Sequence, residues 1–347
     1  MPKIRAWAAR SARSPLVPFE IDRREPGEHD VEVEILYCGV CHSDVHQARD
    51  EWGGSIFPMV PGHEIVGRVS RVGAKVAKLR AGDLAGVGCM VDSCRTCESC
   101  GRDLEQFCER GAAMTYNGTE MDRMTPTYGG YSSRIVVDEH FALRMPPGLP
   151  LAAAAPLLCA GITTWSPLRQ WRTKKGDRVG VLGLGGLGHM AVKLAASLGA
   201  EVTVLSTSGG KETDARRLGA HEFATLSDRA AMKQLRGRFD LVVDTASARH
   251  DLDAILRTVR VGGAVVLLGV PPEPVQLGVA SLVDRRRVLA GSLIGGIAET
   301  QELLDHCAAN GIVSDVEVVP MEAINRAYDR MVRGDVRYRF VIDLATL

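Results

Sequence analysis

The sequence predicts an α/β chain in two parts, a β-rich N-terminal part followed by a doubly wound parallel sheet with helices on both faces. Two observations predict it. The first 150 residues read as short strands broken by Gly and Pro without a long helical period, whereas from about Leu151 strands and helices alternate at the spacing of βαβ units. At 347 residues the chain is long enough for about two domains, each with a core of its own.

In the first part the runs VEVEIL (31–36), IVGRVSRV (65–72) and YSSRIVV (131–137) predict strands. A domain border is expected near residue 150, where LAAAAPLLCAGITTWSPLRQW brings helix-like apolar content. Beyond it the pattern predicts strands over 178–182, 201–205, 241–243 and 264–268, with helices over 186–198, near 213–218 and over 252–259. A further helix is expected over 299–310, and 338–344 reads as a strand able to pair with the N-terminal part.

Composition narrows the function. Forty-two Lys and Arg balance 42 Asp and Glu, which gives no electrostatic reason to expect nucleic acid or an anionic membrane as partner; the run Arg285, Arg286, Arg287 reads as a solvated or interface edge. The first residues lack the apolar core of a secretory signal, and no stretch approaches the roughly 18 apolar residues of a membrane span, so a cytoplasmic location is expected. Nine cysteines at uneven spacing argue against a disulfide scaffold.

Four of them, Cys94, Cys97, Cys100 and Cys108, form C-x2-C-x2-C-x7-C. Such spacing lets one loop wrap a tetrahedral ion with four thiolates and no open position, the arrangement of a structural zinc. Reduced loop thiols or a redox pair are the plain alternative. An iron-sulfur cluster fits less well, because its bacterial pattern has three residues before a last cysteine followed by proline, and here Glu109 follows Cys108.

A second group is spread out: Cys41 in GVCHSD, His63 and Glu64 in PGHE, and Cys159 in PLLCAG. Taken singly, each cysteine also reads as a small buried hydrophobe and His63 as a loop histidine. Grouped as a Cys2His set, a grouping that rests on resemblance to known zinc sites and not on spacing, Cys41, His63 and Cys159 would leave the fourth position of a zinc ion free for an alcohol or carbonyl oxygen. Asp44 is placed to accept the second ring N–H of His63, or serves as a turn carboxylate. Glu64 reads as metal-proximal, or as a buried ion-pair partner.

The run Val179–Leu182 leads into Gly183-Leu184-Gly185-Gly186-Leu187-Gly188, a G-x-G-x-x-G between a strand and a helix. There the glycines allow a tight turn and close backbone approach, and the helix N-terminus presents amides to a pyrophosphate. At the end of the next strand, where NAD enzymes carry an acid for the ribose 2′-hydroxyl, this chain has Ser206, Thr207, Ser208 and Lys211. Hydroxyls and a lysine suit a 2′-phosphate, so NADP(H) is expected, with Arg216 or Arg217 able to assist. A polar surface turn is the alternative.

Together GVCHSDVH, VPGHEIVG, GDLAGVGCMVDSC, PLLCAGITTWSPL, GLGGLGH, STSGGK, GGIAET and VRYRFVIDL resemble the zinc-containing medium-chain alcohol dehydrogenases over essentially the whole chain. The likeness is greatest to the branch of cinnamyl alcohol dehydrogenases and bacterial NADP-dependent alcohol dehydrogenases. The resemblance implies a GroES-like catalytic domain from residues 1–150 and 299–347, a Rossmann NADP-binding domain from 151–298, and an active site in the cleft between. It implies that Cys41, His63 and Cys159 hold a catalytic zinc, that Ser43 takes the substrate proton and that His46 passes it on. His42 would face the pyrophosphate and Thr163 the nicotinamide, and a homodimer would join near 289–294. The implied reaction is reversible hydride transfer between nicotinamide C4 and a primary alcohol or aldehyde, aromatic or medium-length aliphatic. Trp52, Met90, Met114 and Trp165 are the expected pocket residues. Met114 stands where plant cinnamyl alcohol dehydrogenases typically carry tryptophan, which removes a stacking partner for a planar phenylpropenal. The competing readings are a reductase of an iminium or activated alkene on the same fold, and a non-catalytic zinc-stabilised nucleotide-binding protein.

Overall fold

The computed structural model describes residues 3–271 and 274–347, which form two compact units. One comprises the described residues up to Ile162 together with Gly295–Leu347, and the other is Thr163–Ile294.

The first unit is built on a seven-stranded sheet in the order Leu143–Arg144, Leu84–Val87, Ile65–Val72, Asp30–Val40, Arg339–Asp343, Val316–Pro320, with Arg134–Asp138 also paired to Asp30–Val40. The long strand Asp30–Val40 buries Val31, Val33 and Ile35, and its one deeply buried acid in that run, Glu32, is held by Arg71 and Ser70. Strand Arg339–Asp343 runs antiparallel to it, with Phe340 opposite Val40 and Ile342 opposite Cys38, so the expected pairing of the C-terminal strand with the N-terminal part is present. A hairpin of Lys3–Ala9 and Leu16–Asp22 adds Ile4, Ala6, Leu16 and Ile21 to the same core.

Two features differ from the sequence expectation here. The strand expected from Tyr131 begins at Arg134, because the amides of Gly129, Gly130 and Tyr131 bond instead to the carbonyls of Val60, Gly62 and Pro61. This lays Tyr131 beside the loop that carries His63. The helical segment after residue 150 starts within this unit as Leu151–Ala154 and a 3-10 turn Ala155–Leu158, where Leu158 packs on Gly86 and Gly88.

The second unit is a six-stranded parallel sheet in the order Glu222–Thr225, Glu201–Ser206, Arg178–Leu182, Phe239–Asp244, Val259–Leu267, Val288–Gly291. Strands buried on both faces read as continuous apolar runs, as in RVGVL and FDLVVD, and this makes them legible. The order reverses between Arg178–Leu182 and Phe239–Asp244, the switch point at which open α/β sheets bind ligands. No single helix among the described residues is long and apolar enough to cross a membrane.

Glu105 clamps the cysteine-rich lobe to the helix Ile297–Asn310. Its buried carboxylate accepts from the Ile297 N–H at 3.0 Å and lies 2.8 Å from His140 Nε2. Burial pushes the Glu105 carboxyl up, but the His140 and Ile297 hydrogen bonds outweigh it and hold it below the usual carboxylate range. A depressed acid stabilises the fold fully above its unfolded pKa, about 4.3, and that contribution is lost as pH falls through the lower folded value. Glu105→Ala should therefore cost about 1–3 kcal/mol at neutral pH. Urea denaturation should show the gap to wild type closing below about pH 4; a gap independent of pH would exclude the carboxylate as its source.

Candidate active site

Cys41 follows strand Asp30–Val40 and caps helix His42–Ala48, where the Asp44 carboxylate accepts from its backbone N–H at 2.8 Å. His63 and Glu64 close the loop before strand Ile65–Val72, and Cys159 sits between the 3-10 turn and helix Ala160–Gln170. Three distant segments thus converge. One ligand atom each from Cys41, His63, Glu64 and Cys159 lies within 4.8 Å of the others, all four residues buried, with 3.9 Å between the two Sγ atoms.

Asp44 ties this group together. Besides the Cys41 amide it accepts from Gly62 N at 3.2 Å and from the Tyr131 hydroxyl at 3.2 Å, and its Oδ1 lies 3.3 Å from His63 Nδ1. With Nδ1 facing Asp44, His63 has Nε2 left to bind a metal. Both sequence readings of Glu64 meet in one place, because it belongs to the metal-competent group and also forms a buried ion pair with Arg339. Burial pushes its carboxyl up to about 7 against the pull of that guanidinium. Its other oxygen, Oε2, is buried with no hydrogen-bond partner. Two thiols, an imidazole and an acceptor oxygen lacking a donor are the donor set that a zinc ion satisfies.

Ser43 and His46 lie three apart on one face of the short helix. The Ser43 hydroxyl is 3.6 Å from Cys41 Sγ, His46 Nδ1 is 2.5 Å from Glu51 Oε2, and the Trp52 indole stacks on His46 at 4.9 Å. Of the four expected pocket residues, Trp52 and Met114 are exposed, at 49% and 40%. Met90 and Trp165, at 2% and 1%, are packed, which leaves them little surface to offer a substrate. Sequence reasoning passed over Arg339, Glu51, Tyr116, Tyr131 and Cys89, the last hydrogen-bonded to Cys159. Arg339 had a readable signal: it is a charge at the head of the buried run RFVI in RYRFVIDL.

The second metal-competent group is the cysteine lobe, with Cys94, Cys97, Cys100 and Cys108 sulfurs all within 4.8 Å. Backbone N–H groups of Thr96 and Cys97 point at the Cys94 sulfur and lower it to about 6, while burial raises Cys100 to about 12. Four converging sulfurs, with no other ligand group in the cluster among the described residues, match a closed zinc site.

In the second unit the glycine-rich turn follows strand Arg178–Leu182 at the switch point, and its helix begins at Gly188, two residues later than expected, because Gly186 and Leu187 belong to the turn. Gly183 has φ +88°, and a Cβ on Gly188 would meet the Gly183 carbonyl at 2.0 Å. Gly185, in contrast, has open space where its Cβ would be, so nothing in the fold forbids a side chain there. A bare backbone facing open space is the cradle that a pyrophosphate requires. At the end of the next strand the Ser206 hydroxyl is taken up in its own turn, donating to Ser208 O at 3.1 Å and accepting from Ser208 N at 3.2 Å. Thr207 and Ser208 are exposed, and Lys211 Nζ donates to Leu184 O at 3.0 Å, across to the glycine turn. Thr163 is buried in helix Ala160–Gln170, and His42 is exposed at the start of its own helix.

A GroES-like sheet unit with two metal-competent groups, and a parallel-sheet unit with a dinucleotide turn, define a zinc-containing medium-chain dehydrogenase. Comparisons agree. The model of the alcohol dehydrogenase GroES-like domain matches residues 27–147, and that of the zinc-binding dehydrogenase matches 186–309. NADP-dependent alcohol dehydrogenase C of Mycobacterium tuberculosis is 52% identical, with 100% of each chain covered. Aldehyde reductase YahK of Escherichia coli is 52% identical over 99% of each. A cinnamyl alcohol dehydrogenase structure from Sorghum bicolor superposes with a TM-score of 0.96 at 43% identity, covering 99% of this chain and 98% of that one. The chain belongs to the zinc-containing medium-chain alcohol dehydrogenase family.

Proposed function

We propose that the protein is a zinc-dependent, NADP(H)-linked alcohol dehydrogenase working as an aldehyde reductase on aromatic or medium-length aliphatic aldehydes. The observation that carries this reading is the Cys41–His63–Cys159 group with Ser43 beside it. When bound, zinc supplies a Lewis acid for the substrate oxygen and NADPH supplies the hydride. The chain's own residues do the rest. Cys41, His63 and Cys159 hold the metal, Asp44 fixes the His63 tautomer, and Glu64 with Arg339 adjusts charge beside the site. Ser43 donates a proton to the oxygen that becomes the alcohol, and His46, held by Glu51, resupplies it. The four cysteines of the lobe hold a structural zinc. Residues 183–188 cradle the pyrophosphate, with His42 facing it and Thr163 near the nicotinamide, while Thr207, Ser208 and Lys211 meet the 2′-phosphate on a turn shaped by Ser206. We place the enzyme in the cytoplasm as a homodimer joined through the edge strand Val288–Gly291 and the residues just after it, where Val288 and Leu293 are exposed.

The test is kcat/KM for benzaldehyde reduction with NADPH and NADH side by side. Turnover with a clear NADPH preference is expected; no turnover with either cofactor would shift weight to the specialised reductase. Ser206→Asp should reduce the NADPH:NADH ratio of kcat/KM by about 10–100-fold, because a carboxylate there breaks the turn that Ser206 makes with Ser208 and repels the 2′-phosphate. An unchanged ratio would put phosphate recognition away from this turn.

A further inference from the structure

The Tyr116 ring lies parallel to that of His63, 5.7 Å between centroids and 8° between planes, an offset stack. Tyr116 is 7% exposed. Its backbone is pinned on both sides. Thr115 before it donates from N to Cys89 O at 3.0 Å and from Oγ1 to Gly88 O at 2.5 Å. Asn117 after it accepts from Ile56 N at 2.7 Å and donates to the Gln47 side chain on helix His42–Ala48. A ring held so firmly acts as a fixed wall. Asp44 constrains only one edge of the imidazole, through Nδ1, which leaves the ring free to rotate about that contact; a parallel aromatic wall removes that freedom.

We infer that Tyr116 is a positioning residue that sets the plane of the His63 ring and thereby aims its Nε2 at the metal. Groups that orient a metal-bound histidine are worth about 10–100-fold in metal affinity. The aromatic face supplies this orientation: the Tyr116 hydroxyl turns to Asp44, which already has Tyr131, Cys41 and Gly62 as donors, so its loss leaves Asp44 held in place.

The inference rests on the reading that Cys41, His63 and Cys159 hold zinc. The test compares full-length wild type with Tyr116→Phe, Tyr116→Leu and Tyr116→Met, each holding two zinc ions at the start. Zinc transfer to a chromophoric chelator is followed, together with the visible spectrum of protein with cobalt(II) in the catalytic position. In the leucine and methionine variants one of the two ions should bind about 10–100-fold more weakly and the cobalt bands should shift, while the phenylalanine variant stays within about threefold of wild type. The cysteine lobe serves as internal control. If both ions weaken together, or neither does and the spectrum is unchanged, the inference is overturned; methionine, unbranched and of similar reach, serves if the leucine variant does not fold. A wild type that holds only one zinc would instead overturn the reading of the catalytic metal site itself.

Discussion

Cys159→Ala should yield a folded protein with one zinc per chain in place of two and a kcat/KM for aldehyde reduction lower by at least about a thousandfold. Lewis-acid stabilisation of a developing oxyanion is worth several kcal/mol, and about 4 kcal/mol corresponds to that factor. Cys159 lies where the 3-10 turn meets helix Ala160–Gln170, and the truncation removes one small group while Asp44 and the Glu64–Arg339 pair still hold the site, so the melting temperature should shift by only a few degrees. NADPH binding, read by fluorescence titration, should persist because the glycine turn belongs to the other unit. Wild-type turnover in this variant would mean that the site at Cys41 and His63 is not the seat of the chemistry.

The opposite pattern is expected of Cys100→Ser. This residue is 8% exposed, its sulfur is 3.9 Å from that of Cys94, and a closed four-sulfur site contributes its binding energy to folding. Losing one thiolate should lower the melting temperature by on the order of 10 °C, several kcal/mol at the few degrees per kcal/mol typical of this size. The fraction that remains folded at low temperature should retain kcat within a few fold. A variant of wild-type stability without activity would contradict a structural role for the lobe.

The residues behind these two expectations differ in how openly the sequence declares them. The cysteine lobe is local: four thiols in fifteen positions announce a shared ion without any fold. The glycine turn is local too, bracketed by a buried strand and a helix that both show their period. The group at Cys41 is not, since Cys159 lies 118 residues away and only the fold brings the two sulfurs together. A known family pattern joined those segments where spacing could not. What neither route reached, beyond Asp44 and Glu64, was the rest of the shell behind the ligands. Tyr116 sits in MTYN, which reads as an ordinary loop, and its place against His63 depends on Thr115 and Asn117 bonding to segments that are remote in sequence. Short strands were missed for a related reason. Val316–Pro320 and Val288–Gly291 have few fully buried residues and owe their form to a neighbouring strand instead of to their own pattern.

The strand Arg339–Asp343, inserted beside Asp30–Val40, sets an order on how the enzyme is made. Arg339 meets Glu64 across 275 residues, so a chain emerging from the ribosome displays every thiol of both metal groups long before the cation that neutralises Glu64 exists. The whole of Thr163–Ile294 is synthesised in that interval, as an uninterrupted stretch with its own sheet. Biogenesis therefore passes through a stage with one unit complete and the other waiting for an inner strand of its sheet, when exposed cysteines are open to the wrong metal or to oxidation. Zinc supply during translation, not only in the finished enzyme, would then govern the yield of active protein.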